Sequence, residues 1–232
     1  MYVSRKTGEA FVADGYGNRR VAVFDADSGK FKRMWGAFGN KPVDGPLTAP
    51  PNAPPEGPPQ CAIVHAVRVS DDGFVYVAGR PNRRVQVFTL EGKYVTQVIL
   101  NQQAGGNTTC GLAFSPVTSS SRMVVGRAPL QHSRMAIHEG GKVRPRLRQA
   151  RQRPRGVALL KDDTLVVADS ESGIALPGPK ESAEGQANNY RNVGWRQGIR
   201  IGSAKDGSLR PLPRTPTQKG WAQTNWGTST RA

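Results

Sequence analysis

The sequence predicts an all-β fold assembled from repeated four-stranded meanders, and three observations carry that prediction. The first is self-similarity: GEAFVADGYGNRRVAVFDADSGKFKRMWG (8–36) realigns on DGFVYVAGRPNRRVQVFTLEGKYVTQV (72–98), with RRVAVF over RRVQVF. The second is alternation, since RVAVF and RVQVF place an apolar residue at every other position, the period of a half-buried strand. The third is composition: 27 glycines and 18 prolines among 232 residues leave little room for long helices, each costing about 1–3 kcal/mol inside one.

Within each copy the elements follow in order. FVAD or VYVAG makes one strand and RRVxVF the next. SGK and EGK supply hairpin turns, and FKRMW or YVTQV closes the meander. A further strand, HAVRVSDDG (65–73), precedes the second copy. The pattern returns as RGVALLKDDTLVVADSESG (155–173) and more weakly as GLAFSPVTSSSRMVVG (111–126), and a last apolar strand, GIRIGSAKDG, lies at 198–207. A twisted four-stranded sheet cannot bury both faces alone, so units of this kind are expected to stand around an axis as blades of a β-propeller.

Two segments interrupt the pattern. Residues 39–60 hold eight of the 18 prolines and read as a long surface loop between blades, because such a run cannot pair as a central strand. Residues 127–155 carry nine Lys or Arg against Glu139 alone, supplying much of a net charge of +16. With no aromatic residue for base stacking and two prolines in KVRPRLRQARQRPR, the stretch is expected to be irregular or disordered, and nucleic acid is not the expected partner. The propeller is therefore expected over 1–210, followed by a disordered tail at 211–232. No apolar run approaches the roughly 20 residues that cross a bilayer, and MYVSRKTGEAF has no signal-peptide core. Cys61 and Cys110 permit at most one disulfide.

FVADGYGNRRVAVFD, followed by Trp35-Gly36 and then HAVRVSDDGFVYVA, resembles the NHL-repeat six-bladed propellers, and within them bacterial relatives of the peptidyl-α-hydroxyglycine α-amidating lyases. The resemblance covers about residues 2–116 and 154–209. Six blades of about 40–45 residues exceed 232 residues, so the expectation is an incomplete propeller with about four recognisable blades. By resemblance, His65 matches a histidine that opens an inner strand and holds an axial zinc. Tyr16 likewise matches the tyrosine of a DGY motif, at which a substrate hydroxyl loses its proton. The same resemblance implies a secreted or periplasmic setting. Asp14 and Asp169 end the VAD strands and are expected to cap tight turns by accepting backbone N–H bonds.

Two functions remain open at this stage. One is a binding module that takes a peptide, protein or other ligand on its loop face; the other is a zinc-dependent carbon–nitrogen lyase using His65 and Tyr16. Only three histidines exist, His65, His132 and His138, and the last two lie in the basic stretch, so one zinc ligand of three can be placed. No GxSxG, P-loop or dinucleotide fingerprint occurs.

Overall fold

The computed structural model describes residues 1–43, 57–99, 109, 111–114, 122–126, 132–138, 142–148, 154–169, 198–203 and 209–211, with side chains omitted at 122–126, 132–138, 142–148, 154–156, 169, 209 and 211. These residues form four four-stranded antiparallel sheets, each a meander in sequence order. The first comprises β1 (Tyr2–Ser4), β2 (Glu9–Asp14), β3 (Arg20–Asp25) and β4 (Phe31–Trp35). The second comprises β5 (Val64–Val69), β6 (Phe74–Gly79), β7 (Arg84–Thr89) and β8 (Tyr94–Ile99). The third comprises β9 (Gly111–Phe114), β10 (Arg122–Gly126), β11 (His132–His138) and β12 (Lys142–Arg148). The fourth comprises β13 (Pro154–Leu159), β14 (Thr164–Asp169), β15 (Gly198–Ser203) and β16 (Leu209–Pro211).

Successive sheets meet through their first strands: β5 packs on β1, β2 and β3, β9 on β5 and β6, and β13 on β9 and β10. That is blade packing, with β1, β5, β9 and β13 innermost. Between the first two blades, Phe11, Val21, Val23 and Trp35 from one side close on Val67, Val69, Val75, Val77 and Phe88 from the other. Each fully buried Val or Phe contributes about 1.5–3 kcal/mol. Trp35 meets Phe11 and Phe88 at ring-centroid distances of 6.5 and 5.9 Å. Gly92 makes this possible, because a methyl group there would stand 2.6 Å from the Trp35 ring. Tyr76, Ala78, Val85 and Val87 form the next interface with Leu112, and Ala113 packs with Val157, Leu159, Leu165 and Val167 in the third.

Arg33 bolts the first two blades together at the outer rim. Its guanidinium makes two 2.7 Å bonds to the Glu9 carboxylate and donates to Leu90 O of the second blade at 2.7 and 2.9 Å. Lys32 adds a 2.7 Å contact to Glu9. In the second blade Arg84 is buried, lies 4.7 Å over the Phe38 ring and donates to Pro58 O at 2.8 Å, anchoring the end of the proline-rich segment. Cys61, a buried free thiol, lies beside it. Burial pushes its pKa up to about 11 against the opposing pull of Arg84.

The expected irregular stretch at 127–155 departs from the structure, which pairs β11 with β12 over seven register positions. Alternation accounts for this: Val143, Pro145 and Leu147 interleave with Lys142, Arg144, Arg146 and Arg148, a period of two beneath the charge. Proline is tolerated because β12 is an edge strand. Most of the proline-rich segment (44–56), Cys110 and 212–232 of the expected tail lie outside the described residues.

The turns entering the second strand of the first, second and fourth blades share one backbone device. Gly8 (φ +63°), Gly73 (φ +87°) and Asp163 (φ +65°) occupy the same left-handed position in the first, second and fourth blades. Asp163→Val is therefore expected to cost about 1–2 kcal/mol and Asp163→Gly almost nothing, which urea unfolding of the two variants measures.

Candidate functional site

Gly15 organises the site. It is buried, and a methyl group built on it would lie 2.8 Å from the Val64 carbonyl carbon and closer still to the Val64 nitrogen and oxygen. Only glycine lets the loop after β2 lie against the start of β5. From the opposite side, the turn after β6 grips the same segment: Arg80 N donates to Ile63 O at 3.0 Å, and Ala62 N donates to Asn82 Oδ1 at 2.7 Å.

Held between these loops, β5 carries a bulge between Val64 and Ala66, at His65. A bulge leaves one residue outside the ladder and re-aims its side chain. Here it brings the half-buried His65 ring to 6.0 Å from the Tyr16 ring, tilted by 58°. The two residues singled out from sequence thus stand together, one from each blade. Tyr16 is 70% exposed and accepts a 2.8 Å hydrogen bond from Arg80 Nη1. Arg80 Nε is buried and makes no hydrogen bond. A buried donor left in that state costs about 1–3 kcal/mol, more for a charged group.

Arg80 and Gly15 escaped the sequence reading. The proximity of Arg80 to a tyrosine 64 positions away is a tertiary fact.

Asp14 ends β2 and accepts from two side chains, Asn18 Nδ2 at 2.9 Å and Arg20 Nε at 2.8 Å. This corrects the expectation of backbone donors: the following residues run against Val64, and Asn18 and Arg20 come back to the carboxylate instead. Burial works against its ionisation, but the two donors and the Arg20 charge outweigh it and hold its pKa below the usual carboxylate range. Gly79 replaces this aspartate in the second blade, and the equivalent arginine, Arg84, is the one directed at Pro58 O. Asp169 ends β14 opposite Pro154 and Gly198; its side chain lies outside the described atoms.

His65 offers one imidazole, and the described residues contain no group of three or more His, Cys, Asp or Glu placed to hold a metal. The fourth blade repeats the bulge of β5, between Pro154 and Gly156, and places Arg155 there, a residue type with no lone pair to donate. The described residues therefore do not fit a zinc set.

No family model matches the chain. Peptidyl-glycine alpha-amidating monooxygenase A of Xenopus laevis is 33% identical over 112 residues, covering 47% of this chain and 10% of that protein. The B form is 31% identical over the same length, covering 47% and 11%. The chain thus spans about a tenth of the length of these relatives. Among solved structures, that of U3-55K superposes with a TM-score of 0.55 at 10% identity, over 90% of this chain and 49% of that one. The crystal structure of RRP9 WD40 repeats does so with the same score and identity, over 90% and 48%. The chain is an all-β propeller with four blades among its described residues. No described helix is long and apolar enough to cross a membrane.

Proposed function

We propose that this chain is an interaction module, a propeller of NHL type that takes a peptide or protein segment on the loop face between its first two blades. The observation that carries the reading is Arg80: its Nη1 is fixed on the Tyr16 hydroxyl while its buried Nε has no acceptor. A guanidinium held in one orientation beside an exposed aromatic ring suits a ligand with a carboxylate next to an apolar side chain. Propellers present loops in this way, and the rigid sheets below hold them in place.

Selection of phage-displayed random peptides on the immobilised chain tests it. Selected peptides should carry an acidic residue, and Tyr16→Ala or Arg80→Ala should each weaken binding at least about tenfold. Unchanged affinity in both variants would place the binding surface elsewhere.

A second reading, a zinc-dependent lyase resembling the peptidyl-α-hydroxyglycine α-amidating lyases, draws on the Tyr16–His65 adjacency and on the similarity to the amidating monooxygenases. It requires zinc ligands beyond His65. Equilibrium dialysis decides it: one zinc per chain, lost in His65→Ala, would favour the lyase, and no retained zinc would exclude it.

A further inference from the structure

The third blade gathers its positive charge on one face of its sheet. The register rows on that face are Ala113–Val124–Arg134–Arg146, Arg122–Ala136–Arg144, Gly111–Gly126–His132–Arg148 and His138–Lys142. The alternate rows, Leu112–Val125–Ser133–Leu147, Phe114–Met123–Met135–Pro145 and Ile137–Val143, hold no charged residue. Every Lys and Arg of these strands, Arg122, Arg134, Lys142, Arg144, Arg146 and Arg148, thus shares one face with His132 and His138. Ala113, at the inner end of that face, packs on the fourth blade, whereas the cations stand on β10 and above all on the two outermost strands, β11 and β12.

The first blade shows how strand cations are otherwise handled: Arg20, Lys32 and Arg33 each meet a carboxylate of β2, Asp14 or Glu9. The four strands of the third blade contain no Asp or Glu. Arg134 stands directly opposite Arg146, with Arg144 and Arg148 as its diagonal neighbours. Like charges placed in this way weaken a sheet, and a row of bound anions relieves the repulsion. Same-face positions along β12 recur about every 6.5 Å. Two phosphate steps along one strand of a B-form duplex span about the same length, roughly 6.8 Å of helix axis.

We propose that this face binds the phosphodiester backbone of a nucleic-acid duplex without reading its sequence. All but one of its six cations are arginine, whose planar fork takes a phosphate through two N–H donors. β10, β11 and β12 carry no Phe, Trp or Tyr, so they offer no platform for unstacked bases, and a duplex keeps its bases stacked inside. An acidic peptide would instead add as a strand to the edge of β12, where Pro145 lacks the N–H that such pairing needs. The expectation against nucleic acid took this stretch to be irregular, and the pairing of β11 with β12 sets its charges in ordered rows.

Fluorescence anisotropy of a labelled DNA duplex of about 20 base pairs, titrated with the full chain from about 50 to about 200 mM salt, tests this. With the six cations engaged, log K should fall linearly with log salt at a slope of about −5. Arg144→Gln/Arg146→Gln/Arg148→Gln, checked for retained far-UV circular dichroism, should flatten the slope by about 3 and weaken binding at least about tenfold. Arg122→Gln/Arg134→Gln should flatten it by about 2. Arg5→Gln/Lys30→Gln/Lys93→Gln removes as much charge from exposed positions of the first two blades and should leave the slope nearly unchanged. Equal losses in this control and in the β12 variant would reduce the binding to attraction by a net charge of +16 and overturn the proposal. So would absence of duplex binding at the lowest salt, or tighter binding of a single strand of the same length. Displacement by polyglutamate as effective as by unlabelled duplex would assign the face to acidic protein and overturn it as well.

Discussion

Gly15→Ala is expected to destabilise the chain by about 3 kcal/mol and to separate Tyr16 from His65. The nearest atoms to the added methyl would all be backbone atoms of Val64, so no flexible side chain can yield. Overpacking against movable neighbours costs about 1–3 kcal/mol, and a backbone-to-backbone clash belongs at or above that upper limit. Relief requires the loop after β2 to lift from β5, which carries Tyr16 away from His65 and Arg80. The matched control lies two residues on: nothing falls within 4 Å of a methyl at Gly17, so Gly17→Ala should keep both stability and peptide binding. Urea unfolding and peptide affinity, measured on both variants, check the contrast. Equal losses would show that the loop is merely sensitive to substitution and that the Gly15 contact is not what holds the site.

The second large effect belongs to Glu9. Its carboxylate is buried, with hydrogen bonds from Arg33 outweighing the cost of burial, Lys32 assisting, and its pKa is held down to about 2. The unfolded chain titrates at the ordinary value near 4.5, so the folded-state value is the lower one. Stability from this group is therefore complete above about pH 4.5, declines as pH falls toward 2, and is absent below it. The shift corresponds to about 3 kcal/mol at neutral pH and about 1.5 kcal/mol at pH 3. Glu9→Gln should thus lose most against wild type at pH 7 and distinctly less at pH 3. Because Arg33 also donates to Leu90 O, its replacement by Met should loosen the blade interface as well and cost more than Glu9→Gln. A difference between wild type and Glu9→Gln that does not change with pH would contradict the ion-pair assignment.

Much of the fold was legible because its determinants are local. Alternation in RVAVF and RVQVF, the hairpin glycines and the near-identical copies specify strands and turns without tertiary information. Trp35, which closes the fourth strand of the first copy, lies in the inter-blade core, and Phe38 packs against it. The basic stretch was misread because its charge outweighed its alternation: the period-two spacing of Val143, Pro145 and Leu147 is the pattern that reads as strand elsewhere in the chain. At the site, His65 and Tyr16 were visible only through resemblance. Arg80 was not visible, since nothing in a local window reports that the turn after β6 reaches the loop after β2. The backbone role of Gly15 was hidden for the same reason, its collision partner being the Val64 backbone, 49 positions along the chain.

The most direct test of the account is to map where a selected peptide binds, using backbone and aromatic NMR shifts of the isotopically labelled chain. Perturbations are expected to concentrate at Tyr16, His65 and Arg80 and at the turn residues Ala62–Val64 and Asn82 that hold them. Shifts confined to the outer strands β4 and β8, with the Tyr16 and His65 rings unmoved, would contradict it.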